Sequence, residues 1–187
     1  ESLALTSAAR RDEDGLPGAA QLRSELSRTL SNIDAASVDR AAGLLRGSSR
    51  ILVIGVASSA APAVGLDWKL KRLGLPSAAI CDGYLMSVGV SSMGASDTLV
   101  AFSASGATKS ILHAVDVARR RKARVIGVTN FSKSPLTERA ELCLYTFASR
   151  DPVQAELPST VAVEAISDLL VRSILRDNPD ASRHVIA

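Results

Sequence analysis

Short apolar runs that alternate with amphipathic helical patterns constrain the fold of this chain more than any other feature. Five runs have the length of buried strands, at residues 50–54, 77–81, 98–102, 124–128 and 142–146. Helical spacing of apolar residues fills most of the intervals between them, at residues 59–73, 82–92 and 107–121. Parallel strands require crossover connections of this kind. The pattern therefore predicts an α/β fold with a parallel sheet covered by helices on both faces.

Two helices are predicted before the first strand. From Leu22 onward, a four-residue spacing of apolar residues predicts a helix over residues 19–31. A second helix is predicted to have Ser37 as its cap and to end at Leu45, because Gly47 follows. The sheet is therefore expected to have a short helical segment before it.

The two ends of the chain and its composition indicate a single domain. An apolar stripe predicts a long final helix over residues 159–176, whereas residues 1–18 are polar and are interpreted as a linker or tail. Of the 187 residues, 47% are hydrophobic and 22% are charged, a balance typical of a globular domain with a sizeable core. We therefore expect one domain over residues 19–187.

Composition argues against several classes of function. Aromatic residues make up only 3% of the chain, too few for a base-stacking surface on single-stranded nucleic acid. A net charge of +3 is weak support for a nucleic-acid partner. No apolar run reaches about 18 residues, so no membrane span is expected. Cys81 and Cys143 lie in apolar strand-like runs and are expected to be buried free thiols, which fits a cytoplasmic location.

One strand-to-helix junction has the composition of an anion-binding loop. The segment Ser103-Ala104-Ser105-Gly106-Ala107-Thr108 follows an apolar strand and opens a helical pattern. A helix start presents unpaired N–H groups and the positive end of the helix dipole, and hydroxyls add donors. Gly106 allows close backbone approach. These properties favour a phosphate site over the alternative, an ordinary turn with a serine cap.

A second junction has similar chemistry. The first strand ends in Gly55-Val56-Ala57-Ser58-Ser59, and a helical pattern follows. If the strand order is 2-1-3-4-5, the first and third strands are neighbours at the point where strand order reverses, and both loops face one crevice. The alternative is two independent helix caps.

Three further features each have two interpretations. Residues 129–135, Thr-Asn-Phe-Ser-Lys-Ser-Pro, either line the same crevice or simply form a turn. The cations at 119–122 resemble a nucleic-acid patch, but their place at a helix end favours a role in complementing the helix dipole. Trp68 lies at helical spacing from Val64, which indicates a core or interface position.

The chain offers few candidates for catalysis. Glu156 and Glu164 flank the start of the last helix, where a carboxylate is suited to proton abstraction beside a carbonyl, although a solvated charge is the simpler interpretation. His113 is a lone mid-helix histidine. No Cys/His spacing indicates a metal site, and no motif indicates a cofactor.

Several of these segments together resemble the SIS (sugar isomerase) domain. More narrowly, they resemble the sugar-phosphate-binding half of RpiR-type bacterial transcriptional regulators. The resemblance covers about residues 19–177 and is carried by Ile51-Leu52-Val53-Ile54-Gly55-Val56-Ala57-Ser58-Ser59, Lys69-Leu70-Lys71-Arg72-Leu73-Gly74, Ser103 to Thr108, and Ser159-Thr160-Val161-Ala162 before Ser167-Asp168-Leu169-Leu170.

The resemblance implies a flavodoxin-like three-layer αβα sandwich with a five-stranded parallel sheet in the order 2-1-3-4-5. It implies a phosphosugar site at Gly55, Ala57, Ser58, Ser59, Ser103, Ser105, Gly106 and Thr108. It further implies a sugar phosphate effector, a homodimer or tetramer, and DNA contact only through a helix-turn-helix domain absent from this chain.

Two positions depart from the pattern of the regulators. Ala57 stands where their first loop often has a second glycine, and Thr160 stands where their last helix often has an arginine. Ser159-Thr160 is closer to the SIS sugar-phosphate isomerases. Two other functions therefore stay open: an aldose–ketose phosphate isomerase that uses Glu156 or Glu164 with His113, and a module kept only for dimerisation.

Overall fold

The computed structural model describes Leu16, residues 18–147 and residues 159–177. Its helices and strands follow in the order α1 (Ala19–Asn32), α2 (Ala35–Arg46), β1 (Arg50–Ile54), α3 (Ala60–Arg72), β2 (Ser77–Ile80), α4 (Gly83–Ser91), β3 (Asp97–Phe102), α5 (Lys109–Arg120), β4 (Arg124–Thr129), β5 (Leu142–Tyr145) and α6 (Val161–Asp177). Every strand and helix predicted from the sequence is present, with ends that differ by at most three residues.

The five strands form one parallel sheet in the order β2-β1-β3-β4-β5. This order confirms the predicted fold, because β1 and β3 are hydrogen-bonded neighbours although they are not consecutive in the chain. Their last paired residues are Ile54 and Ala101, and on the other side of β3 Phe102 pairs with Val128. The loops after β1, β3 and β4 therefore leave the sheet side by side.

Alternate residues of the central strands face two different helix layers. On β1, Ile51 and Val53 pack in a core with α2, α3 and α6, whereas Leu52 and Ile54 pack in a second core with α4 and α5. This alternation follows from the two-residue period of a strand. Both faces are buried, so the strand sequences are continuously apolar, as is typical of parallel sheets.

The start of α2 differs from the sequence-based prediction. Its N-cap is Asp34 rather than Ser37, and the Asp34 carboxylate accepts hydrogen bonds from the backbone N–H groups of Ala36 and Ser37. Ser37 lies inside the first turn, where its hydroxyl also donates to Asp34. The hydrogen bonds from Ser37 lower the pKa of Asp34, so the cap carries the negative charge that a helix start favours.

The packing of helix α1 differs from the packing that its leucine spacing predicts. Leu22 and Leu30 are exposed, and the buried side chains of the helix are Glu25 and Thr29. Thr29 Oγ1 accepts a hydrogen bond of 3.0 Å from the backbone N–H of Phe147, which lies just after β5. The helix predicted over residues 19–31 is therefore present, but polar contacts with a distant segment help to hold it.

Three other expectations meet a mixed outcome. Trp68 is 58% exposed, so a core position is wrong; its ring stacks under the Arg72 guanidinium at 4.9 Å. Cys81 and Cys143 are free thiols but only half-buried. Burial raises the pKa of both thiols. Across the described part of the chain, no helix has the length and apolar character needed to cross a bilayer.

Candidate functional site

The loop after β3 folds into a compact turn held by its own polar groups. Ser103, at the end of the strand, is buried, and its carbonyl accepts a hydrogen bond of 3.0 Å from Gly106 N–H. Ser103 Oγ and Thr108 Oγ1 are hydrogen-bonded at 3.0 Å, and Ser105 Oγ accepts from Ala107 N–H at 3.2 Å. The sequence-predicted hydroxyls of this loop are thus brought together at one turn.

This turn does not end in an ordinary helix cap. Thr108 occupies the N-cap position of α5 with extended backbone angles, yet its side chain makes no cap hydrogen bond. Its hydroxyl pairs with Ser103 instead. Among the described residues, the first N–H groups of α5 therefore have no side-chain acceptor, and the positive end of the helix dipole is open to an anion. The serine-cap alternative does not describe this geometry.

Gly106 is the position in this loop that tolerates no side chain. Its φ is +64°, in the left-handed region, and an added Cβ would lie 2.2 Å from Ser134 Oγ and 3.0 Å from Thr129 Oγ1. The carbonyl of Gly106 also accepts a hydrogen bond of 2.9 Å from Leu136 N–H. The segment after β4 therefore packs directly on the loop after β3 and fixes its path.

The loop after β1 presents two hydroxyls. Ser58 and Ser59 lie in a single 3-10 turn, Ala57–Ser59, and within the described residues neither hydroxyl makes a hydrogen bond. Gly55 is required for this turn, because an added Cβ would lie 2.2 Å from the Ser59 carbonyl oxygen. Ala57 has a φ of +51°, a left-handed conformation that glycine adopts with less strain. Ser59, the N-cap of α3, makes no side-chain cap bond.

A cleft runs beside these loops on the side of the sheet that α3 and α6 cover. Its polar lining comes from the three connections that follow β1, β4 and β5 and consists of Ser58, Ser59, Asn130, Thr146, Ser159 and Thr160. Ala104 and the first turns of α3 and α6 complete the wall. Thr146 donates a hydrogen bond to Asn130 Oδ1, which joins two of the lining side chains. Ser103, Ser105, Gly106 and Thr108 lie outside this lining.

The segment after β4 has both of the roles considered for it. Asn130 lines the cleft, whereas Ser134 is buried and supports Gly106. Thr146 is a lining residue that sequence reasoning missed. The available signal was its position, since it directly follows β5 as the other loop hydroxyls follow their strands.

Of the residues considered for acid–base catalysis, the two that the structure describes, Glu164 and His113, are not assembled at the cleft. Glu164 is in the first turn of α6, but its carboxylate contacts Lys69 of α3 at 3.0 Å. His113 is an exposed residue of α5, and Glu156 lies outside the described residues. In the part of the chain that the structure covers, no group of three His, Cys, Asp or Glu side chains is arranged to hold a metal ion.

The cations after α5 split between the helix end and the following turn. Arg119 and Arg120 lie in the last turn, Arg121 is the C-cap, and Lys122 has a φ of +64°. This placement agrees with a role in complementing the negative end of the helix. The cations lie at the sheet edge opposite the cleft, because they precede β4 rather than follow it.

Comparison with curated proteins finds bacterial regulators and a bifunctional protein. The uncharacterized HTH-type transcriptional regulator YfhH of Escherichia coli is 29% identical over 146 residues, which are 75% of this chain and 52% of YfhH. The bifunctional protein glk of Paraburkholderia xenovorans is 37% identical over 109 residues, 58% of this chain and 17% of that protein. The chain therefore spans about half the length of the regulator and a smaller part of the bifunctional protein.

Solved structures share the fold closely. The Vibrio vulnificus NanR protein, complexed with ManNAc-6P, has a TM-score of 0.85 and 28% identity over 90% of this chain and 64% of NanR. The sugar isomerase domain of an RpiR transcription factor from Sphaerobacter thermophilus has a TM-score of 0.83 and 21% identity, and covers 89% of this chain and 92% of that one. The SIS domain family model matches residues 44–172. The match contains the sheet and both hydroxyl-bearing loops, and the chain belongs to the SIS domain family.

Proposed function

We propose that this chain is the sugar-phosphate-sensing domain of an RpiR-type transcriptional regulator. The observation that carries the proposal is the junction of two hydroxyl-bearing loops at neighbouring strand ends, beside the uncapped start of α5. A dianionic phosphate suits that place, because N–H groups, hydroxyls and the helix dipole all favour negative charge there. No carboxylate belongs to either loop.

The proposed site residues divide into two groups. Ser103, Ser105 and Thr108 supply hydroxyls to the phosphate, and Gly106 lets the backbone approach it. Ser58 and Ser59 close the site from the loop after β1, where Gly55 and Ala57 set the path of the backbone. The sugar then extends toward the cleft lined by Asn130 and Thr160.

A sugar phosphate is the effector class that the relatives favour. NanR, which is 28% identical, binds ManNAc-6P in its solved structure. YfhH and a related regulator of Caldanaerobacter subterraneus are HTH-type proteins about twice as long as the segment that matches. In our proposal, DNA contact belongs to such a helix-turn-helix domain, and the sensing domain forms a homodimer or tetramer. The effector changes the geometry of this oligomer by binding one of two conformational states more tightly than the other, and the size of the shift is set by that difference in affinity.

Thermal unfolding against a ligand panel tests the proposal. The panel contains hexose 6-phosphates, including N-acetylmannosamine 6-phosphate, and pentose 5-phosphates, each paired with its parent sugar, and inorganic phosphate. A ligand at about 100 times its Kd adds about 2.7 kcal/mol to the free energy of unfolding. We expect one sugar phosphate to raise the Tm while its parent sugar does not. No shift across the panel contradicts the proposal.

The same compounds separate a sensor from an isomerase. The Glu164 carboxylate is engaged by Lys69 rather than aimed at the cleft, so we expect the ligand that raises the Tm to be recovered unchanged. Conversion of an aldose phosphate to the ketose phosphate, followed by NMR, would favour the isomerase instead.

A further inference from the structure

Two packed helices meet in a small charge cluster next to the cleft. On α3, Gly65 and Lys69 lie one turn apart on the side that faces α6, and on α6 Glu164 and Asp168 also lie one turn apart. Lys69 Nζ lies 3.0 Å from Glu164 Oε2 and 2.8 Å from Asp168 Oδ1. One ammonium group thus holds two carboxylates of the opposite helix.

The surroundings keep Lys69 charged. Its side chain is only 22% exposed, and this burial works against its charge. Hydrogen bonds to Asp168 and Glu164 outweigh the burial, so the pKa of Lys69 lies above its ordinary value. Without the ammonium, the two carboxylates would face each other one turn apart, an arrangement that disfavours the helical turn between them.

A glycine makes room for this contact. A Cβ added at Gly65 would lie 3.2 Å from Glu164 Oε1, so the absence of a side chain lets the carboxylate lie against the α3 backbone. Glu164 therefore touches α3 at two successive turns, at Gly65 and at Lys69. We call these four residues, Gly65, Lys69, Glu164 and Asp168, the α3–α6 clamp.

The clamp lies one turn from the cleft on both helices. The Glu164 N–H donates to the carbonyl of Thr160 at 2.9 Å, and the Val161 N–H donates to Ser159 Oγ at 3.3 Å. Ser159 and Thr160 line the cleft, as does Pro62 in the turn of α3 that precedes Gly65. A shift of the first turn of α6 therefore moves one wall of the cleft against the other.

We propose that Lys69 is a positioning residue of the ligand site, which holds Glu164 and Asp168 and thereby fixes Ser159 and Thr160 at the sugar end of the cleft. Lys69 acts through α6 and does not itself touch the ligand. The part of the proposal that concerns affinity rests on the proposed function, whereas the effect on the first turn of α6 is measurable without any ligand.

The test compares Lys69→Met, Lys69→Arg and a matched control, Lys71→Met. Lys71 is on the same helix and pairs with Asp67 at 2.8 Å, away from α6. In the ligand-free protein, we expect amide exchange of Glu164 to be about tenfold faster in Lys69→Met, because a charge-assisted contact that holds the turn is lost. Lys69→Arg and Lys71→Met should exchange at the wild-type rate. Unchanged exchange in Lys69→Met overturns the proposal.

Ligand titrations then test the link to the site. The probes are inorganic phosphate and the sugar phosphate that raises the Tm of the wild type. For Lys69→Met we expect about tenfold weaker binding of the sugar phosphate, restored in Lys69→Arg, with inorganic phosphate affinity unchanged. Equal weakening for both probes overturns the positioning role at the sugar end. If the wild type binds no sugar phosphate, the proposed function fails, and the exchange rates still decide whether the clamp holds α6.

A second variant keeps the proposal testable if Lys69→Met does not fold. Gly65→Ala leaves all charges in place and pushes the Glu164 carboxylate away from α3. We expect it to speed amide exchange in the first turn of α6 in the same direction and by a smaller factor. The control is Gly94→Ala, since nothing lies within 4 Å of that added Cβ. Equal exchange rates in the two glycine variants contradict the proposal.

Discussion

The two edges of the parallel sheet use their polar side chains differently. At the amino-terminal edge, Arg124 donates to the carbonyl oxygens of Gly47 and Ser96 and to Ser48 Oγ, at distances of 3.2–3.3 Å. Arg50 is paired with Asp97 at 3.0 Å. These groups join the loops of that edge to one another, so their role is to stabilise the fold.

At the carboxyl-terminal edge, some hydroxyls pair within their own loop, as Ser103 does with Thr108, whereas others have no protein partner among the described residues. The hydroxyls of Ser58 and Ser59 make no hydrogen bond within the described residues, and neither α3 nor α5 has a side-chain cap. Ser58 is exposed and Ser59 is half-buried, so both hydroxyls are accessible to a ligand in the cleft that they line. The comparison teaches that hydroxyls without a protein partner occur at the edge where we propose that the ligand binds, whereas the arginines of the other edge are engaged within the fold.

The largest effect is expected at Gly106, where the binding edge depends on a missing side chain. Gly106→Ala should lower the free energy of unfolding by about 2–3 kcal/mol, because of the positive φ and the clash with Ser134. Sugar phosphate affinity should fall by about 100-fold, since the loop must move. Chemical denaturation and titration measure the two effects, with Gly94→Ala as the control. If Gly106→Ala binds the sugar phosphate as tightly as the wild type does, the proposed difference between the two edges of the sheet is wrong.

A change at the structural edge should affect stability alone. Arg124→Met removes three hydrogen bonds, and we expect the free energy of unfolding to fall by about 2 kcal/mol. The Kd for the sugar phosphate should stay within about twofold of the wild type, because sites this far apart behave additively. Urea denaturation and calorimetric titration decide this, and a large loss of affinity would show that the edges are coupled.

For the two serine hydroxyls after β1 we expect the opposite result, in which affinity falls and stability is unchanged. The double change Ser58→Ala and Ser59→Ala breaks no hydrogen bond in the described structure, so stability should change by less than about 0.5 kcal/mol. Affinity for the sugar phosphate should fall about tenfold. The matched control is Ser24→Ala with Ser27→Ala, two exposed hydroxyls of α1 that likewise break no hydrogen bond in the described structure. If both double variants bind alike, the assignment of Ser58 and Ser59 is wrong.

The smallest effect is expected at Ala57. Its φ of +51° strains an alanine, so Ala57→Gly should raise the free energy of unfolding by about 0.5 kcal/mol after the entropy of the unfolded glycine is counted. Thermal denaturation measures the change. A clear loss of stability would mean that the Ala57 methyl makes contacts that outweigh the strain.

Local pattern was enough to predict the sheet and the position of its loops. The central strands are buried on both faces and therefore appear in the sequence as continuous apolar runs. The order of β1 and β3 placed two hydroxyl-bearing loops together, as expected for a topological switch point. Ser58, Ser59 and the loop from Ser103 to Thr108 were predicted as site residues in this way, and their role in binding stays a prediction.

Long-range contacts could not be predicted in the same way. The bond between Thr29 and Phe147 joins residues 118 positions apart, and that between Lys69 and Glu164 joins residues 95 apart. Neither leaves a periodic trace in the sequence. The same reason explains the error at Ser37 and the exposed position of Trp68, for which an interface role stays a prediction: in both cases a local spacing had more than one structural solution, and tertiary packing selected between them.

The most direct test of the binding edge is a map of backbone amide shifts while the sugar phosphate that raises the Tm is titrated. We predict the largest changes at Gly106, Ala107 and the first turn of α5, with smaller changes at Ser58 and Ser59. The amides of Ser49 and Asp97, at the other edge, should stay unchanged. Changes centred on that other edge, or on residues 119–122, would contradict the account.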